Sequence, residues 1–172
     1  MKNMDDLGKG PYKPIPEQYS TNKKMAETIM EMHKGLYVAN PKTELMPGVF
    51  LVCQNGDIAP IVTGFGPDAD KDYFAFFLRV KMKEWNVVRY AFFSEAWVAD
   101  ASSNIMPSKR EDRKEITMVC VEDKTSPPHA VMLEIVRDWE DGTVTGFKPL
   151  DLQVSMSDAG VTFGGRFSGL LR

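Results

Sequence analysis

Cysteine and histidine are nearly missing from this chain of 172 residues, which holds two of each. Cys53 and Cys120 each sit inside an apolar run with no second cysteine or histidine at ligand spacing, so neither a disulfide framework nor a metal cluster is expected. Both read as buried thiols in a reducing compartment. With only His33 and His129 as imidazole bases and no Gly-x-Ser-x-Gly, nucleophilic catalysis has little to work with. His33 falls near the end of a predicted helix, where the dipole favours a cation, and reads as a solvated or capping residue. His129 follows Pro127-Pro128 and reads as a turn residue.

Long apolar runs are absent too. No window approaches the roughly 18 residues that a membrane span needs, and "MKNMDDLGKGPYKPIPEQYS" has no apolar core or cleavage site of a secretory signal. A cytoplasmic location without membrane contact is the expectation. A net charge of -3 and a pI near 5.5 leave no basic footprint for a polyanion, so nucleic acid is not an expected partner. Gly64-Phe65-Gly66 lacks the third glycine and the Lys-Ser/Thr pair of a phosphate loop. No cofactor or metal is expected.

What the chain does have is the composition of one soluble domain, 43% hydrophobic and 26% charged. Residues 1–19, with Pro11, Pro14 and Pro16, read as an extended N-terminal arm, either pinned to the body by Tyr12, Ile15 and Tyr19 or a disordered tail; residues 20–172 form the domain. From Ser20 or Thr21 as N-cap, Met25, Ile29, Met32 and Leu36 recur at helical spacing, predicting a helix to about Lys34 that Gly35 ends. Val49–Gln54 and Ile58–Thr63 flank Asn55-Gly56, predicting a hairpin with a type I′ turn whose second strand, bearing Pro60, lies at a sheet edge or bulge.

A second helix follows from Ala69, Tyr73, Phe76, Phe77 and Val80, through about Glu84. Asn86–Ala99 is rich in β-branched and aromatic residues and predicts one long strand. "EITMVCVED", "HAVMLEIVRDW" and the shorter "TVTGFKPL" predict further strands, and "GVTF" near the C-terminus suggests one more. Short links favour antiparallel pairing. The expected fold is a single α+β domain: a mainly antiparallel sheet of about five to six strands, with two amphipathic helices packed on one face.

The candidate binding residues are Glu95, Trp97, Asp100, Ser108, Lys109, Arg110, Asp112, Arg113 and Glu115, which lie in or flank the charged loop after the long strand. Alternation puts Glu95 on one face with Phe93 and Trp97, and a carboxylate between aromatics needs a partner if buried. Arg113, then Arg110, are the nearest choices along the chain. A Glu95–Arg113 contact tying the loop to the sheet is the expectation, with a ligand pocket beneath the loop as the functional alternative.

The pattern Ser94-Glu95-Ala96-Trp97, Pro107-Ser108, Asp112-Arg113-Lys114-Glu115 and Glu122-Asp123 resembles a family of small uncharacterised bacterial and phage proteins. Lys109 and Arg110 stand where that family carries acidic residues. The resemblance implies a compact single domain and no particular chemistry. The leading expectation is a nonenzymatic interaction domain of phage or mobile-element character, engaging a protein partner through residues 100–114 or an exposed strand edge. A metal-dependent nuclease or other hydrolase using Asp100, Glu115, Glu122 and Lys124 is the alternative, weakened because hairpin pairing sets Asp100 beside Glu115, at the opposite end from Glu122. A homo-oligomeric structural subunit is a third reading.

Overall fold

The apolar run Gly48–Cys53 forms β1, and all six of its residues are buried. A strand without polar alternation has to be covered on both faces, and this one is. Val49, Leu51 and Cys53 point into one apolar core, while Phe50 and Val52 point into a second on the other side of the sheet. The computed structural model describes residues 4–62, 64, 68–99, 105–150 and 167–171. Among these, α1 (Asn22–Ala39), β1, β2 (Ile58–Val62), α2 (Asp68–Glu84), β3 (Val87–Val98), β4 (Lys114–Asp123), β5 (His129–Arg137) and β6 (Val144–Pro149) follow one another.

The strands form one sheet in the order β2-β1-β3-β4-β5-β6, every neighbouring pair antiparallel. The single-domain α+β expectation therefore holds, but the helices do not share a face. Ala75, Leu78 and Met82 of α2 join the core with Leu51, and Met25, Ala26, Ile29 and Met30 of α1 join the one with Phe50. The connection explains this: β1 and β2 form a hairpin, and α2 then carries the chain across β1 to β3 over the face that α1 leaves open. The strand suggested at 160–163 lies outside the described residues, as does Asp100.

Both helices are rotated from their expected phase. In α1 the buried stripe continues from Ile29 through His33 to Tyr37, leaving Met32 and Leu36 half-exposed. The helix passes Gly35 and ends at Ala39, because burying Tyr37 holds the last turn in place, and a glycine costs only about 1 kcal/mol within a helix. Thr21 is the N-cap, its side chain accepting from Lys24 N. In α2 the expected core positions Tyr73, Phe76 and Val80 are exposed. That helix is apolar around most of its circumference, so spacing alone does not choose its inner face.

The hairpin forms, although not with the expected type I′ turn. Among the described glycines and asparagines of the turn only Gly56 takes positive φ (80°), and Gly56 N bonds Cys53 O at 3.0 Å while Cys53 N bonds Asp57 O at 2.8 Å. This is a three-residue loop closed by a left-handed glycine. Asn55 instead uses its side chain, accepting from Asp57 N at 3.0 Å and donating to Gly10 O at 3.2 Å. Pro60 does lie on the sheet's edge strand.

The same turn receives the N-terminal segment. Lys13 N donates to Asn55 O at 2.8 Å, and buried Asp57 accepts from Gly8 N at 3.2 Å and from Lys13 Nζ at 3.1 Å. Leu7 enters the α2-side core, while Ile15 and Tyr19 pack on the α1-side core. Tyr12 stays exposed. A Cβ on Gly56 would stand 2.2 Å from Lys13 O, so glycine here serves both the φ angle and the close approach of the arm.

Candidate functional site

The β3–β4 hairpin sets most of the candidate residues in place, with Glu95 paired opposite Thr117 and Trp97 opposite Glu115. Alternation puts these four side chains on the α1 face, beyond the end of its apolar core. A polar layer follows from that. Tyr37, 1% exposed, donates from its hydroxyl to Glu95 Oε1, and Leu45 N donates to the same oxygen at 2.8 Å. Burial drives the Tyr37 phenol well above its ordinary range, and the Glu95 carboxylate adds to the shift.

Glu95 is thus held by α1 and the segment before β1, not by the loop. The expected Glu95–Arg113 contact is replaced by another arrangement. Arg113 lies over the Trp97 ring, 4.6 Å from its centroid, and its Nη1 donates to Ser108 O. Arg110 pairs instead with Asp112, Nε to Oδ1 at 2.8 Å and Nη2 to Oδ2 at 2.6 Å. A planar guanidinium beside an exposed indole gains from the ring's negative face while keeping its edge free for hydrogen bonds.

Glu115 is taken up by Arg137 in a two-pronged contact, Nε to Oε2 at 2.8 Å and Nη2 to Oε1 at 2.7 Å. The β4–β5 register brings them together, since Ile116 faces Glu134 and Arg137 is then a diagonal neighbour of Glu115 on the same face. Hydrogen bonding to Glu115 raises the Arg137 guanidinium against the opposing effect of burial, and the field of Glu95 adds to it. Tyr37, Glu95, Glu115 and Arg137 form one charge cluster that ties α1 to the middle of the sheet.

The structure therefore unites Trp97, Ser108 and Arg113, joins Arg110 to Asp112, and engages Glu95 with Tyr37 and Leu45 and Glu115 with Arg137. Lys109 ends a single 3-10 turn (Pro107–Lys109) and is exposed. Beside this turn, Ile105 and Met106 are exposed, Met106 at 68%, and Trp97 itself is 43% exposed. Asp100 lies outside the described residues.

Glu115 and Glu122 of the hydrolase alternative are separated. Glu122 pairs across from Tyr90 at one end of β4, and Glu115 from Trp97 at the other. Glu122 accepts from Gly169 N at 2.9 Å. Among the described residues no group of three or more His, Cys, Asp or Glu stands close enough to hold a metal ion. Both cysteines are buried and unbridged, and burial pushes the Cys120 thiol up to about 12. Among the described residues no helix is long and apolar enough to cross a membrane.

His33 is the residue furthest from its expected place. It is 4% exposed, its Nδ1 lies 3.2 Å from Thr117 Oγ1, and its ring meets the edge of Phe93 at 5.1 Å between centroids. Burial lowers its pKa to about 4. Because the unfolded imidazole titrates near 6.5, the unfolded chain binds more protons than the folded one between those values. The stability that His33 contributes is fully present above about pH 6.5 and is lost as pH falls towards 4. His33→Phe is expected to flatten that part of the pH–stability curve, followed by urea unfolding at stepped pH.

A continuation of the helix past Gly35 would have revealed Tyr37 and His33 as one buried stripe. A β4–β5 register would have revealed Arg137. Comparison with protein families, curated proteins and solved structures returned no match.

Proposed function

We propose that the chain is a nonenzymatic cytoplasmic interaction domain that engages a protein partner through the surface around Trp97. One observation carries this reading: an exposed indole with Arg113 stacked on it and the exposed side chains of Ile105 and Met106 on the adjoining loop. Tryptophan, arginine and methionine are enriched in protein interfaces, and large exposed apolar side chains in company mark contact sites. Two carboxylates on the same sheet face as Trp97, Glu95 and Glu115, are engaged by Tyr37, Leu45 and Arg137, which suits a rigid support better than a reacting centre. A phage or mobile-element origin, implied by the sequence resemblance, belongs to the same proposal.

Affinity capture from a bacterial lysate with the full chain and with Trp97→Ala tests it. A protein retained by the parent is expected to be lost at least tenfold in Trp97→Ala, the loss of a central anchor side chain. The substitution is largely at the surface and should shift stability by less than about 1 kcal/mol. Equal retention by both proteins would overturn the proposal. A retained partner that proves to be the chain itself would turn it towards self-association, which light scattering reads directly.

A further inference from the structure

The second face of α1 borders a cavity of about 320 Å³ that opens between the helix and the outer strands of the sheet. Its rim is formed by Met32, Leu36, Met46 and Val62, all half-exposed, and buried Phe93 and His33 lie deeper. Among the described residues the lining includes no lysine, arginine, aspartate or glutamate. Among the described lining residues His33 is the one whose side chain carries a strong hydrogen-bonding group.

The polarity of that group follows from its neighbour. Thr117 is fully buried, and among the described residues its hydroxyl has His33 Nδ1 as its hydrogen-bond partner. Were Nδ1 to carry the ring hydrogen, the Thr117 hydroxyl would have no acceptor, at a cost of about 1 to 3 kcal/mol. Thr117 is therefore the donor and Nδ1 the acceptor, which puts the ring's hydrogen on Nε2. Among the described residues Nε2 has no hydrogen-bond partner. Among the described residues, a ring 4% exposed thus offers one unused donor to a lining that is otherwise apolar.

We propose that this cavity is a binding site for a small, uncharged, largely apolar molecule with one carbonyl acceptor, a ketone, ester or amide, which receives the Nε2 hydrogen of His33. At about 320 Å³ the cavity lies at the small end of ligand pockets, which run from about 300 to 1,000 Å³, and suits a small organic molecule. No described lining residue is a cation, which argues against a carboxylate, whose desolvation would go uncompensated. Met32 and Met46 give the rim an adaptable surface for varied apolar groups. The site is separate from the Trp97 surface and stands without it.

Acetophenone, cumene and benzoate, matched in size, are suitable probes for the full chain labelled with ¹³C-methyl methionine and ¹⁵N histidine. Acetophenone is expected to shift the Met32 and Met46 methyl signals and His33 Nε2 saturably. Cumene should shift the same methyls with affinity about three- to tenfold weaker, the range of one neutral hydrogen bond, and benzoate should shift none. His33→Phe should bind the two neutral probes equally. Thr117→Val, which frees Nδ1 to take the hydrogen, should narrow the difference as well. In the parent chain, equal affinity for acetophenone and cumene, saturable benzoate binding, or shifts that never saturate would each overturn the proposal.

Discussion

Arg89→Met is expected to destabilise the fold by about 3 to 5 kcal/mol, the loss on breaking a buried ion pair. Arg89 joins three parts of the molecule. Nε donates to Asn22 Oδ1, Nη1 to Tyr19 O and Nη2 to Asp123 Oδ2, each at 2.8 Å. These contacts tie the start of α1 and the end of the N-terminal segment to the β3–β4 pair, where Arg89 and Asp123 are register partners. The two side chains are only 12% and 5% exposed, so methionine would strand a carboxylate with little access to water. Asp123 would keep the backbone donors of Thr125 and Ser126, which places the loss towards the lower end. Urea unfolding of the two proteins at neutral pH measures it, and a loss below about 1 kcal/mol would show the pair to be effectively solvated.

The same network has a pH signature. Burial alone would raise the Asp123 carboxyl, but the donors on Ser126, Arg89 and Thr125 outweigh it and hold the pKa at about 2. The unfolded carboxyl titrates near 3.9, so the native state binds fewer protons between these values. The stabilisation is present above about pH 4 and is lost as pH falls towards 2, below the window in which His33 acts. Arg89→Met should weaken the loss of stability across this lower window.

Glu95→Ala is expected to cost roughly 3 kcal/mol, because it leaves the buried Tyr37 hydroxyl and Leu45 N without their acceptor. Tyr37→Phe removes one of those donors along with the need for it, so the double substitution should cost less than the sum of the single ones. Arg113→Ala, which removes an exposed stacking contact, should cost less than about 1 kcal/mol and add independently to Glu95→Ala. Additive losses for Glu95 and Tyr37, or strong coupling between Glu95 and Arg113, would restore the loop-anchoring contact expected from proximity along the chain.

The contrast between those two pairs shows what was legible in the residues. β3, β4, β5 and β6 announce themselves through β-branched and aromatic content, and Asn55-Gly56 marks a turn whatever its exact type. The double-sided burial of β1 was present in its unbroken apolar run, yet placing both helices requires knowing that α2 crosses β1. Helix phase was ambiguous because Met32, Leu36, Tyr73 and Phe76 are as apolar as the residues that are buried. A periodic pattern chooses a face only where the opposite side is polar.

The candidate site divided along the same line. Arg113 and Ser108 come together with Trp97 through local loop geometry, which nearness in sequence can suggest. Glu95 is bound by Tyr37, 58 residues away, and His33 meets Thr117 at a separation of 84. Neither pairing leaves a local signal. Each depends on α1 lying across the completed sheet.

The central claim is that a protein partner is held at the surface around Trp97, and photo-crosslinking from position 106 tests it most directly. A benzophenone amino acid in place of Met106, on the exposed loop, is compared with the same group in place of Trp139, which is 89% exposed in the β5–β6 turn. The account predicts one dominant protein adduct from position 106 that excess unlabelled parent chain suppresses, with none from position 139. Adducts of the same identity and yield from both positions, or none from position 106 with a captured partner present, would contradict it.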